Sequence, residues 1–336
     1  MAASLSRVTG SSSRKLALIG SNGMLACKVR ELASAAGYEV VGFDLPDFDL
    51  TNRSQVLAEM GRVQPDVIVN CAAFTNVDGC ETQEELATRV NGLGPGYLAE
   101  AAMAVDAVLV HISTDYVLDG RKESPYIETD PVGTLSAYGR SKLVGERAII
   151  DSGLEHYFII RTSWLYGPGG KNFVETIIRL AREREELRVV ADQVGSPTYT
   201  GDLAEAIYNL LAVSANPWVH QQPTTSNQQP AASPQSLVPS PYGIYHFSNS
   251  GHCSWYEFAA EIVAQMQARG EVLKVKRVVP ITTAEYPLPA PRPAYSVFSK
   301  DKYSAATGAE IPEWEKSLAK YLEERTRNEE PVMKNP

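Results

Sequence analysis

Residues 136–147 read SAYGRSKLVGER, with Tyr138 and Lys142 four residues apart. A helix would carry them one above the other on the same face. A phenol and an ammonium so placed could transfer a proton. Free tyrosine titrates near 10 and free lysine near 10.4, both far from neutrality. A lysine ammonium about 4–5 Å from the phenol would stabilise the phenolate by about 3–4 kcal/mol at an effective dielectric of about 20. That is about 2–3 pKa units, enough to bring Tyr138 towards the range of a general acid–base catalyst. The pair also needs a hydroxyl to hold a substrate carbonyl. HISTDYVLDG (111–120) offers two, Ser113 and Thr114, at 25 and 24 residues before Tyr138. The residues alone leave both open. Each feature has a plain structural reading as well: a lysine stem lying along an exposed tyrosine, or a hydroxyl turn at a strand end. With 16 tyrosines in the chain such a spacing also arises by accident, so neighbouring motifs must decide.

Reducing a ketone takes a hydride at carbon and a proton at oxygen, and a second motif points to the hydride carrier. LIGSNGMLA (18–26) follows an aliphatic run and opens a helical pattern. Gly20 lets the chain turn, and Gly23 lets backbone N–H groups approach a pyrophosphate at the positive helix end. Ala26 stands at the third glycine of the usual pattern and is still small enough for close helix–sheet packing. Asp44 follows 21 residues after Gly23, at the end of the second aliphatic run. A carboxylate there accepts hydrogen bonds from both adenosine ribose hydroxyls and repels a 2′-phosphate. The expected cofactor is therefore a nicotinamide dinucleotide, NADH or NADPH, with Asp44 favouring NADH.

These motifs need a scaffold. KLALIG (15–20), EVVGFD (39–44), DVIVNCA (66–72), AVLVHIS (107–113) and YFIIRTS (157–163) read as strands buried on both faces. Helical patterns separate them; Leu25, Val29, Leu32, Ala33 and Ala36 repeat at helical spacing, and Gly37 is placed to end that helix. Strands alternating with helix-length segments imply an α/β fold, a Rossmann-type doubly wound parallel sheet. Residues 15–165 are expected to form the dinucleotide-binding domain. Residues 166–325 should form mainly a smaller C-terminal α/β substrate lobe, with some segments returning to the sheet. Helices are expected near 254–269 and from Pro312 onward. Residues 1–14, serine-rich and without an acidic residue, read as a flexible N-terminus. Residues 214–241, rich in Pro, Gln, Ser and Thr, read as a disordered insertion.

Composition narrows the partners. A net charge of −9 supplies no positive field for nucleic acid. No run approaches the ~18 apolar residues that span a membrane. Cys27, Cys71, Cys80 and Cys253 lie far apart without a metal-ligand spacing, so free thiols in a reducing, cytoplasmic compartment are expected.

Taken together, the hydroxyl, Tyr-x-x-x-Lys and glycine loop resemble the extended short-chain dehydrogenase/reductase superfamily. Within it the chain is most similar to the dTDP-4-dehydrorhamnose reductase family, over about residues 15–325 without the insertion. PDVIVNCAAFTNVDGCE (65–81), HISTDYVLDG, PYIETDPVGTLSAYGRSKLVGE (125–146), RTSWLYG (161–167), DQVGSPTYTGDLA (192–204) and RPAYSVFSKDK (292–302) carry the resemblance. It implies reduction of the C4 ketone of dTDP-4-dehydro-6-deoxy-L-mannose to dTDP-L-rhamnose. It further implies that Asn22 belongs to the cofactor-binding set, that Gly23, Met24 and Leu25 border the cofactor pyrophosphate, Asp44 its ribose, Asp49 and Leu50 its adenine, and that Ala73 and Thr75 lie beneath it. Thr114 becomes the catalytic hydroxyl, Tyr138 the proton donor, and Lys142 the group that holds the ribose and tunes Tyr138. Asp115 and Trp164 are implied at the sugar, Gln193, Gly195 and Pro197 along the nucleotide-sugar side, and Arg292 at the diphosphate.

Phe74 and the insertion depart from the family pattern. Some members bind magnesium at a subunit contact, but no acidic cluster here matches it, and no metal is expected. The expected partner is a nucleotide-sugar substrate, with a homodimer as the assembly to test. Two rivals stand beside this reading: another nucleotide-sugar reductase or epimerase, and a non-catalytic regulatory subunit like that of methionine adenosyltransferase. Retention of Thr114, Tyr138 and Lys142 favours an enzyme.

Overall fold

The computed structural model describes residues 13–215 and 240–329. The expected flexible N-terminus up to residue 12, and residues 216–239 of the expected insertion, lie outside the described residues. The five aliphatic runs form β1 (Lys15–Ile19), β2 (Glu39–Phe43), β3 (Val67–Asn70), β4 (Val108–Thr114) and β5 (Tyr157–Thr162). They lie parallel in one six-stranded sheet, in the spatial order β2-β1-β3-β4-β5, and Gly243–His246 completes the edge beside β5.

Alternation along β1 explains the two layers of helices. Leu16 and Leu18 pack with Leu25 and Val29 of the helix Met24–Ala35 and with Leu203 and Ile207 of Thr200–Ala215. Ala17 and Ile19 face the opposite core, with Val56 and Met60 of Arg53–Val63 and Leu98 and Ala102 of Gly94–Val105. A strand covered on both faces has no polar side, which is why its sequence reads as one apolar run. The chain leaves β1 for β2 on one side and then crosses to β3 on the other. The carboxyl ends of β1 and β3 therefore frame a crevice at the switch point of the sheet.

A separate core holds the C-terminal lobe. There the helices Phe173–Glu183, Trp255–Ala268 and Trp314–Glu329 pack on a parallel pair formed by Glu186–Val190 and Arg277–Ile281. Ser254 and Glu257 close a capping box at the start of the second of these helices, satisfying N–H groups at its N-terminus.

The helix that carries Tyr138 and Lys142, Ala137–Asp151, is fixed by a buried polar network. Glu146 accepts two hydrogen bonds from Arg161 of β5, at 2.9 and 2.7 Å, and a further one from Ser113 of β4. Register explains the gathering: Ser113 pairs with Arg161, and Arg161 with His246 on the edge strand. Close approach of the helix needs Gly139, because a Cβ there would run into the backbone carbonyl of Tyr116. Removing one partner of a buried ion pair leaves the other charge uncompensated, at a cost of about 3–5 kcal/mol. Arg161→Leu is therefore expected to lower the unfolding free energy by about that amount, read from the urea midpoint at unchanged slope.

Candidate active site

A cleft of about 690 Å³ opens at the carboxyl ends of β1, β3 and β4. At one end lies the glycine loop. Gly20 adopts φ +72°, and a Cβ there would come within 2.7 Å of the Ala72 backbone after β3. The N-terminus of Met24–Ala35 begins at Gly23, with no side-chain cap and no acidic residue in its first turn. Its first N–H groups and its dipole thus remain available to an anion. This bare cradle fits a dinucleotide pyrophosphate.

Asp44 stands one residue beyond β2. Its carboxylate accepts from the Asn22 N–H at 2.8 Å and from the Leu45 N–H at 2.9 Å, which ties it to the glycine loop. Asp49 and Leu50 line the same end with Phe43 and Phe48, two rings 5.0 Å apart that the sequence reading did not single out. Ala73 and Thr75 form part of the floor. Phe74 is held there by the buried amide of Asn91, which accepts from its N–H at 2.8 Å and donates to its carbonyl at 3.1 Å.

The other end brings Thr114, Asp115, Tyr138 and Lys142 together. Ser113 is committed to Glu146, whereas Thr114 lines the cleft with Tyr138, its hydroxyl donating to Asp115. That difference separates the two hydroxyls that the residues alone had left open. Burial pushes the Tyr138 phenol up, against the pull of Thr114. The expected lowering by Lys142 is not what the geometry provides. The Lys142 amine turns inward, donating to the Ile112 carbonyl at 2.6 Å and lying 3.4 Å from His111 Nε2. Burial brings it down to about 8, with Glu146 and then Cys71 opposing.

Asp115 is 2% exposed. Its Oδ1 accepts from the Thr114 hydroxyl at 3.0 Å, while Oδ2 is buried with no hydrogen-bond partner among the described residues. An orphaned carboxylate oxygen in the cleft suits a hydroxyl-bearing ligand. Burial pushes this carboxyl up to about 6, against Ser296 and Thr114.

Trp164 lines the cleft and stacks on Trp255 of the lobe at 3.6 Å between centroids. Four expected ligand residues lie behind the lining rather than in it. Gly195 packs against the Trp164 ring, Gln193 donates to the Thr283 hydroxyl at 3.0 Å, and the Pro197 carbonyl accepts from the Asn249 N–H at 3.3 Å. Arg292 likewise stands outside the lining, in a two-point ion pair with Asp78 at 2.7 and 2.9 Å. A lysine that sequence reading missed lies at the cradle instead. Lys171 follows the turn Gly167–Gly170, which Asn172 ties down through the Gly167 and Gly170 carbonyls at 2.9 and 3.2 Å. Gly170 and Asn172 both touch the Met24 side chain, so the turn packs beside the helix N-terminus. Lys142 and Lys171 are the cations among the described residues that line the cleft. The glycine-rich GPGGK run, 167–171, was the available signal.

A parallel sheet with this switch-point crevice, a glycine turn at a bare helix end and a Thr–Tyr–Lys set defines a nicotinamide-dependent oxidoreductase of the short-chain dehydrogenase/reductase type. Residues 14–327 match the RmlD substrate binding domain family. The Bacillus subtilis spore coat polysaccharide biosynthesis protein SpsK is 41% identical over 312 residues, covering 93% of this chain and 98% of that protein. The dTDP-4-dehydrorhamnose reductase of Burkholderia thailandensis is 40% identical over 303 residues, covering 89% and 95%. A crystal structure of the Bacillus anthracis dTDP-4-dehydrorhamnose reductase in complex with NADP superposes with a TM-score of 0.80 at 37% identity, covering 93% of this chain and 100% of that one. The chain belongs to the dTDP-4-dehydrorhamnose reductase family. Among the described residues no helix is long and apolar enough to cross a membrane, and no group of three His, Cys, Asp or Glu gathers as a metal site.

The raised Asp115 carboxyl carries a stability prediction. An unfolded aspartate titrates near 3.9, so between about pH 4 and pH 6 the folded chain binds more protons than the unfolded one. Stability should fall as pH rises through that window, by about 2–3 kcal/mol in all. Asp115→Asn is expected to flatten that slope in urea titrations run from pH 4 to pH 7. An identical slope in both proteins would contradict it.

Proposed function

We propose that the chain catalyses the NAD(P)H-dependent reduction of the C4 ketone of dTDP-4-dehydro-6-deoxy-L-mannose to dTDP-L-rhamnose. The observation that carries this reading is the gathering of Thr114, Tyr138 and Lys142 in a cleft that also contains the glycine cradle. When bound, the reduced nicotinamide supplies the hydride. The remaining work falls to the chain. Gly20, Asn22, Gly23, Met24 and Leu25 cradle the pyrophosphate, with Lys171 adding a cation at the same end. Asp44 takes the ribose, Asp49 and Leu50 border the adenine, and Ala73 and Thr75 support the dinucleotide from below.

At the reacting end, the Thr114 hydroxyl orients the ketone oxygen and Tyr138 gives it a proton. The raised phenol suits this direction. It stays protonated at neutral pH, and an alkoxide is more basic than a phenolate, so the transfer runs downhill. Asp115, through its unpartnered Oδ2, accepts a sugar hydroxyl. Trp164 packs against the sugar ring, and Gln193, Gly195 and Pro197 support that wall from behind. Arg292, paired with Asp78, stands as the candidate diphosphate partner outside the cleft lining. Lys142 holds the cofactor ribose.

Cofactor choice turns on Asp44. Its charge beside the ribose site favours NADH, since a 2′-phosphate would meet a like charge. Mixing the protein with the keto sugar and either NADH or NADPH should give loss of reduced nicotinamide matched by dTDP-rhamnose, faster with NADH. An epimerase would consume no cofactor on net turnover. Binding without oxidation would point to a regulatory subunit. Tyr138→Phe should lower turnover at least about a hundredfold while leaving NADH binding nearly unchanged, because the phenol oxygen contributes in the transition state. Full activity in that variant would rule out the proposed proton donor.

A further inference from the structure

His111 has no place in the chemistry described so far, yet it is fully buried against Lys142. Its surroundings fix where its proton must sit. The Ala72 backbone N–H can only donate, and it points at Asn70 from 3.1 Å. The atom it meets is therefore the amide oxygen, Oδ1. The other end of the same amide, Nδ2, must then face His111 Nδ1, at 3.0 Å. An amide NH₂ offers hydrogens and no lone pair, so Nδ1 accepts and carries no proton. Strand register holds the arrangement, because Asn70 of β3 pairs directly with His111 of β4.

A neutral imidazole with a bare Nδ1 carries its hydrogen on Nε2. That Nε2–H lies 3.4 Å from Lys142 Nζ. A lysine ammonium has three donors and no lone pair, so the two groups would meet donor to donor. Only the neutral amine can accept. The second contact of Nζ, to the Ile112 carbonyl at 2.6 Å, is open to either form.

We propose that Ala72 and Asn70 lock His111 as its Nε2–H tautomer, and that His111 thereby acts as a positioning residue for Lys142. It docks the neutral amine in the inward position and turns the ammonium away towards the cleft. The inference deepens the assignment of Lys142 to the catalytic set and rests on that reading for its importance, but not for its test.

The groups facing the amine are few. Glu146 approaches from its own helix, Cys71 from the end of β3 and His111 from β4. Glu146 is shared with Arg161 of β5. Cys71 is a thiol pushed up to about 12 by burial, so it stays neutral through the physiological range. His111 is itself driven well below its ordinary value, first by burial and then by Lys142, which removes the imidazolium as an alternative. The proton that changes hands is that of Lys142, which burial brings to about 8. Raising the pH through that value docks the amine; lowering it releases the ammonium.

The direct test is ¹⁵N NMR of the histidine-labelled wild-type protein between pH 6 and pH 9. His111 should remain neutral with the proton on Nε2, and its Nε2–H signal should shift as Lys142 titrates. An Nδ1–H tautomer or an imidazolium would overturn the proposal. His111→Gln replaces the facing donor with a side chain that can present a carbonyl oxygen to the ammonium. It should raise the Lys142 titration, followed by ¹⁵Nζ NMR, by about one pH unit. An unmoved titration in the folded variant would also overturn it, since packing alone would leave that value in place. If the variant fails to fold, the wild-type tautomer still decides. Neither readout uses turnover, so loss of the reductase reading would leave both results standing.

Discussion

The site depends on one constraint: the helix Ala137–Asp151 must lie hard against the carboxyl ends of β4 and β5. Glu146, Arg161 and Ser113 meet that requirement from inside the protein, and Gly139 meets it sterically. Replacing the glycine hydrogen by a methyl would push the helix off the Tyr116 carbonyl, and Tyr138 would leave Thr114 with it. The buried charges make the placement all-or-none, because a partly separated Glu146–Arg161 pair has no water to fall back on. Stability and geometry are thus supplied by the same residues, with Glu146 one helical turn from Lys142 and Ser113 next to Thr114.

Burial also sets the electrostatic character of the site. The sheet, the covering helix and the lobe bury Asp115 and Lys142 and half-bury Tyr138, and each moves towards its neutral form. Neutral groups with directed hydrogen bonds can wait beside a ketone without reorganising when charge develops. At the other end the balance differs. Asp44 remains tied to two backbone N–H groups, and Lys171 lies exposed at the cradle. An anionic dinucleotide and a neutral reacting centre would each meet a suitable environment in one cleft.

What could be read from the sequence follows the range of the interactions. The strands, the glycine turn and Asp44 were legible because each is local or follows from the repeat of a βαβ unit. The helix at Trp255 was legible through its own apolar spacing, and Ser254 and Glu257 mark its start. Ser113 and Thr114 could not be separated by chemistry alone, because the distinction lies in Glu146, 33 residues from Ser113 along the chain. The partner of Arg292 was equally out of reach, because Asp78 meets it across 214 residues of sequence. The tuning of Tyr138 by Lys142 assumed that four residues of helix bring two side chains into contact. A long lysine had a better partner below it in the Ile112 carbonyl. His111 drew no notice because a histidine inside an aliphatic strand looks like a satisfied core residue until the register with Asn70 is known.

The measurement that bears most directly on the proposed reaction is isotopic. NADH carrying deuterium in the transferable position would be turned over with dTDP-4-dehydro-6-deoxy-L-mannose, and the nucleotide sugar examined by NMR. The expected result is one deuterium at C4 of dTDP-L-rhamnose for each NADH oxidised. Unlabelled product, or label at another ring carbon, would contradict hydride delivery to the C4 ketone in this cleft.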